Sequence, residues 1–72
     1  MNLTNAEVGK EYTVKNIITF DDELDAFLFS LGLYSGEPIT VVSRKKKTCM
    51  VSIKDSRYCI DSALCEAIEI IE

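Results

Sequence analysis

Ile39-Thr40-Val41-Val42-Ser43-Arg44-Lys45-Lys46-Lys47-Thr48-Cys49-Met50-Val51-Ser52-Ile53-Lys54 is the stretch whose reading decides the fold. Successive side chains of a β-strand point to opposite faces, so a half-buried strand alternates apolar and polar residues. Ile39 and Val41 alternate with Thr40, and this strand runs to about Arg44. From Thr48 to Lys54 the alternation resumes, with Cys49, Val51 and Ile53 on one face and Met50 and Ser52 on the other. Arg44-Lys45-Lys46-Lys47 lies between the two as a hairpin tip, so the strands pair antiparallel.

Downstream the chain stays β. Asp55-Ser56 makes a turn, and Arg57 to Ile60 is a short strand with Tyr58 and Ile60 inward. Asp61-Ser62 can cap one helical turn through Glu66, and Ile68-Glu69-Ile70 closes the chain as a last strand. Upstream, Thr4-Asn5-Ala6-Glu7 fits a capping box for one short turn, ended by Gly9. Glu11 to Ile18 reads as a strand in which Tyr12 and Val14 alternate with polar residues. Ile17 and Ile18 break the pattern, so a bulge or the strand's end lies near Asn16.

Asp21 to Gly32 is the one convincing helix. Asp21, Asp22, Glu23 and Asp25 crowd its first turns, where the helix dipole favours negative charge. Leu24, Phe27, Leu28 and Leu31 sit at the i, i+3, i+4, i+7 spacing of one buried stripe. Gly32 supplies the left-handed residue that ends the helix, with Leu33 placed for the accompanying apolar contact. Ser35-Gly36-Glu37-Pro38 is turn chemistry. The expected architecture is mostly β: five short strands in a small barrel, which removes exposed sheet edges, with one α-helix inserted between the first and second strands. Leu24, Leu28, Leu31, Val41, Val51, Ile53, Ile60, Ile68 and Ile70 are expected in the core.

The 72 residues amount to a single domain, too short for a nucleotide-binding α/β fold whose βαβ units alone take about 30 residues each. No run approaches the roughly 18 apolar residues of a membrane span, and Met1 to Asn5 does not read as a signal peptide. Twelve acidic against eight basic residues do not favour nucleic acid as a partner. Three cysteines, an odd number, with no export signal point to reduced thiols and a cytoplasmic location. The spacing of Cys49, Cys59 and Cys65 lacks the tight C-x2-C pairs of zinc and iron–sulfur sites. With no histidine there is no Ser–His or Cys–His nucleophile, so no catalytic residue is assigned.

At Leu31-Gly32-Leu33-x-x-Gly36 the sequence resembles the FeoA family, ferrous iron transport protein A, in which a helix ending in Leu-Gly-apolar precedes a Gly and an alternating strand. Val8-Gly9-Lys10 is similar to the family's Leu-x-x-Gly opening. Tyr58-Cys59-Ile60-Asp61 followed by Cys65-x-x-Ile68-x-Ile70 is similar to its closing segment. The resemblance implies a Src-homology-3-like barrel and a role beside FeoB, a membrane ferrous iron transporter with a cytosolic GTP-binding domain, through protein–protein contact. It also leaves an alternative: a free-standing regulatory or metal-sensing barrel like the C-terminal domain of iron- and manganese-dependent repressors. Two departures from the family pattern are Phe27, where a basic residue is usual, and the short basic tip Arg44 to Lys47.

The candidate contact surface is Phe29, which lies off the buried stripe, together with Leu33 and Tyr34 at the helix end. The weaker candidate is the basic tip Arg44, Lys45, Lys46 and Lys47, suited to an acidic partner or an anionic membrane surface without insertion. The acidic cluster is already explained by the helix dipole, and ferrous iron usually recruits imidazole as well, so no metal or cofactor is assigned. Cys49 and Cys65 read as small core residues and Cys59 as partly exposed. A homo-oligomer stays open. With no phosphate loop and no nucleophile–base pair, the purified protein is expected to hydrolyse no GTP and turn over no substrate. Phosphate release that copurifies with the protein peak is the contrary result.

Overall fold

A computed structural model describes every residue, Met1–Glu72. A single 3-10 turn, Leu3–Asn5, precedes strand β1 (Glu11–Ile17) and helix α1 (Asp22–Ser30). Strands β2 (Pro38–Arg44), β3 (Thr48–Ile53) and β4 (Ser56–Asp61) follow, then helix α2 (Ser62–Ala67) and strand β5 (Ile68–Ile71). The strands form one antiparallel sheet in the order β4-β3-β2-β1-β5. None of the helices is long and apolar enough to cross a membrane.

Local chemistry accounts for each boundary. Asp21 caps α1, its carboxylate accepting the Leu24 N–H at 3.1 Å, and Asp22, Glu23 and Asp25 fill the first turn. The helix ends in a Schellman motif: the Leu33 N–H donates to the Leu28 carbonyl and the Gly32 N–H to that of Phe29, both at 3.0 Å. This geometry requires the φ of +93° that Gly32 adopts. The β2–β3 hairpin is closed by the Lys45 N–H donating to the Thr48 carbonyl at 2.8 Å.

Two bulges break the alternation. In β1 the register with β5 jumps between Val14 and Asn16, leaving Lys15 unpaired. In β2 it jumps between Val41 and Ser43, so Val42 is the extra residue and Arg44 comes to stand opposite the buried Cys49. The core is a cluster of 14 buried residues. It contains Leu28, Val41, Val51, Ile53, Ile68 and Ile70 among those expected, and adds Leu3, Ala6, Tyr12, Val14, Leu33 and Ile39.

The sequence-based expectations need correction at several points. The sheet is open, not a closed barrel, because β4 and β5 do not pair. Two helices are present rather than one: the single turn expected after Asp61 extends to the six-residue α2, with Asp61 as its cap. The first turn is capped by Asn2 with Asn5, not by Thr4 with Glu7. Leu24, Leu31 and Ile60 are half-buried, and Phe27 is 57% exposed, because nothing covers the groove side of α1.

Leu28 is the only buried residue of α1, so Leu28→Ala is expected to cost about 2–5 kcal/mol and Leu24→Ala distinctly less. Gly32→Ala is expected to cost about 1–2 kcal/mol, because alanine disfavours this φ and its Cβ would meet the Lys54 side chain at 3.1 Å. Urea midpoints of the three variants test this ordering.

Candidate functional site

A groove of about 570 Å3 runs between α1 on one side and β4 with α2 on the other. Leu24, Phe27, Leu28 and Leu31 form its α1 wall, and Ala63, Leu64 and Ala67 its α2 wall. Tyr58, Cys59, Ile60 and Asp61 line it from β4. Four consecutive strand residues cannot all lie on one face, so the groove follows the free edge of β4. Sequence reading missed this site because it took Leu24, Phe27, Leu28 and Leu31 as a stripe packed into the core. Helical periodicity identifies an apolar face but not whether a neighbour covers it.

A smaller cleft of about 210 Å3 opens on the opposite flank of α1, lined by Asp25, Leu28, Phe29, Leu33 and Tyr34. The helix therefore rests on Leu28 with an opening on each side. Phe29, 65% exposed, stacks on the half-buried Tyr34 with ring centroids 4.8 Å apart. The Lys54 ammonium donates to the Tyr34 hydroxyl at 3.3 Å and lies 3.9 Å from the Glu37 carboxylate, and both raise its pKa, the hydroxyl foremost. Of the three residues expected to form one contact surface, Phe29 and Tyr34 are brought together at the surface. Leu33 is only 2% exposed and belongs to the core, because the Schellman turn folds it back onto the helix.

The basic tip divides in the same way. Lys45, Lys46 and Lys47 are exposed and belong to neither of the two ion pairs, which join Lys10 to Glu72 and Lys54 to Glu37. Arg44 is a structural fastener instead. Its guanidinium donates to the carbonyls of Leu3 at 2.6 Å and Ala6 at 3.0 Å, holding the N-terminal turn against the sheet. Among the acids, Asp21 caps α1 and Asp25 accepts from the Thr19 hydroxyl. No three His, Cys, Asp or Glu side chains converge in a way that would hold a metal ion. Cys49 and Cys65 are buried and Cys59 is exposed; all three are free thiols.

The FeoA domain model matches residues 1–72, the whole chain. The sequence matches no functionally curated protein. A manganese-dependent transcriptional repressor superposes on all of this chain with a TM-score of 0.88 at 20% identity, and the chain spans 41% of that protein's length. An iron uptake regulatory protein, FeoA, gives a TM-score of 0.84 at 22% identity, with coverage of 99% of this chain and 95% of its own. The FeoA of Stenotrophomonas maltophilia, solved with zinc, gives 0.84 at 16% identity over 97% of this chain and 88% of its own. That protein is described as an SH3 domain protein and a candidate ferrous iron transport activating factor. At these identities the neighbours show the fold, Src-homology-3-like and mostly β.

Burial, and next the contact with Cys49, pushes the Cys65 thiol up from its ordinary 9.0 to about 12. The folded state thus keeps a proton that the unfolded chain releases first. The stability this contributes is complete below pH 9.0 and is lost as the pH rises towards 12. Urea midpoints followed upward from pH 9.0 should fall in the wild type and fall less steeply in Cys65→Ala.

Proposed function

This chain belongs to the FeoA family, and on that footing we propose that it is an accessory factor of ferrous iron uptake acting by contact with the cytosolic part of a FeoB-type membrane transporter. The observation that carries this reading is the open apolar groove beside α1, rimmed by Phe27 and backed on the other flank by the Phe29–Tyr34 pair. Aromatic side chains half out of water are the residues that most often dominate a protein–protein contact. The acidic start of α1, Asp21, Asp22, Glu23 and Asp25, together with Asp61 in the groove, favours a partner segment that joins apolar to basic residues. The reading assigns the effect on a partner to binding and not to turnover.

The similarity to a manganese-dependent repressor supports a second reading, a free-standing regulatory barrel that responds to metal. The two are separable. A metal-responsive barrel gains thermal stability with added Mn2+ or Fe2+ by mass action, whereas the accessory factor does not.

The first reading is tested by calorimetric titration of the cytosolic domain of a FeoB-type transporter with this chain and its variants. Phe27→Ser, Phe29→Ala and Tyr34→Ala are each expected to leave the melting temperature nearly unchanged and to weaken binding by about 1–3 kcal/mol. Binding that collapses with salt, disappears in a Lys45/Lys46/Lys47→Ser variant and ignores the aromatic residues would place the contact on the basic tip instead.

A further inference from the structure

We propose that the free edge of β4 pairs antiparallel with β4 of a second copy of this chain, centred on Cys59, joining two sheets into one. This goes beyond contact with a transporter, and it uses the same strand edge that the groove follows.

The two outer strands of the sheet are treated differently. Along β5, the Ile70 N–H donates to the Met1 carbonyl at 2.8 Å and Asn2 bridges to Glu69, so the N-terminal residues cover that edge. No other strand pairs with the outer side of β4, whose one ladder is with β3. Several of the usual protections of an edge are absent, although β4 carries the charged Arg57 and Asp61. β4 carries no proline, no lysine and no bulge, and it runs in unbroken register with β3 from Ile53↔Ser56 to Thr48↔Asp61.

The register of a second strand follows from hydrogen-bond alternation. The two-residue turn Lys54-Asp55 closes on the pair Ile53–Ser56, and Lys54 adopts the positive φ, 56°, that such a turn needs. From that pair onward Ser56, Tyr58 and Ile60 turn their N–H and C=O groups to β3. Arg57 and Cys59 turn theirs outward, and Asp61 its N–H, its carbonyl being taken up as the cap of α2. An antiparallel strand centred on Cys59 uses all three outward residues at once. It sets Arg57 opposite Asp61 of the second copy, Asp61 opposite its Arg57, and Cys59 opposite its Cys59. Centring on Arg57 or Asp61 would oppose like charges, so the charges select one register. The Asp61 carboxylate also accepts the Leu64 N–H through Oδ1, leaving its other oxygen for the arginine.

The test uses the intact chain in sedimentation equilibrium, alongside reaction with a short bis-maleimide crosslinker. Cys49 and Cys65 are each 3% exposed, so a thiol crosslink between chains reports Cys59. The expected result is a monomer–dimer equilibrium with a rapid Cys59–Cys59 crosslink. Arg57→Glu should weaken the dimer about tenfold or more and slow the crosslink, whereas Arg57→Lys retains both. Cys59→Pro removes only an outward N–H and should likewise dissociate the dimer while leaving the circular dichroism of the fold in place. A monomer at every concentration reached overturns the proposal, including the case in which another protein's extended segment takes this edge. So does a dimer indifferent to both Arg57→Glu and Cys59→Pro.

Discussion

The carboxylate of Asp61, accepting the Leu64 N–H at 2.8 Å, turns the chain out of β4 and into α2. Much else follows from that turn. The Ser62 N–H simultaneously donates to the Lys47 carbonyl at 3.0 Å, tying the start of α2 to the β2–β3 hairpin. β4 and β5, joined by this six-residue helix, do not pair, and the sheet stays open. A chain of 72 residues has little surface to spare for a core, so the gap must be filled from elsewhere. α2 supplies Cys65 and α1 supplies Leu28, and the space left between the helices is the groove.

The N-terminal residues are held by a consequence of a single bulge. Val42 is the extra residue in β2, and without it Arg44 would project from the other face of the sheet. Its guanidinium instead reaches the carbonyls of Leu3 and Ala6, which places Leu3 fully inside the core and brings Met1 against β5. A charged donor on two carbonyls is a strong contact for a short segment that has little other reason to stay ordered. One sheet edge is thereby closed and the other is left bare, an asymmetry set by residues far apart in the chain.

What the sequence made legible was whatever depends on neighbours within a few positions. The β2–β3 hairpin, the N-terminal acids of α1 and the stop at Gly32 are local patterns with local causes. The buried faces of β3 follow from Cys49, Val51 and Ile53 alone. The bulge at Val42 was not legible, because Val41-Val42 reads equally well as two residues of a regular strand. Arg44 was read with the lysines that follow it, since nothing in a run of four cations marks the one that folds back. The groove was hidden for a deeper reason. Its walls come from residues 18 to 67, and a helix with an apolar stripe looks the same whether or not a neighbour covers it.

That uncovered stripe bears on how α1 itself is held. A nine-residue helix is shorter than the roughly 12–15 residues at which isolated helices become even marginally stable. Here it is maintained by Asp21 at one end, the Schellman turn at the other, and Leu28 between them. Leu24, Phe27 and Leu31 contribute less than their size allows, because one side of each faces the groove. Whatever occupies the groove buries those side chains and so adds to the stability of the helix. By linkage, a helix already well ordered binds that occupant more tightly. The open groove and the sparsely anchored helix are therefore one feature: the surface offered to a partner is the surface that α1 lacks for its own stability.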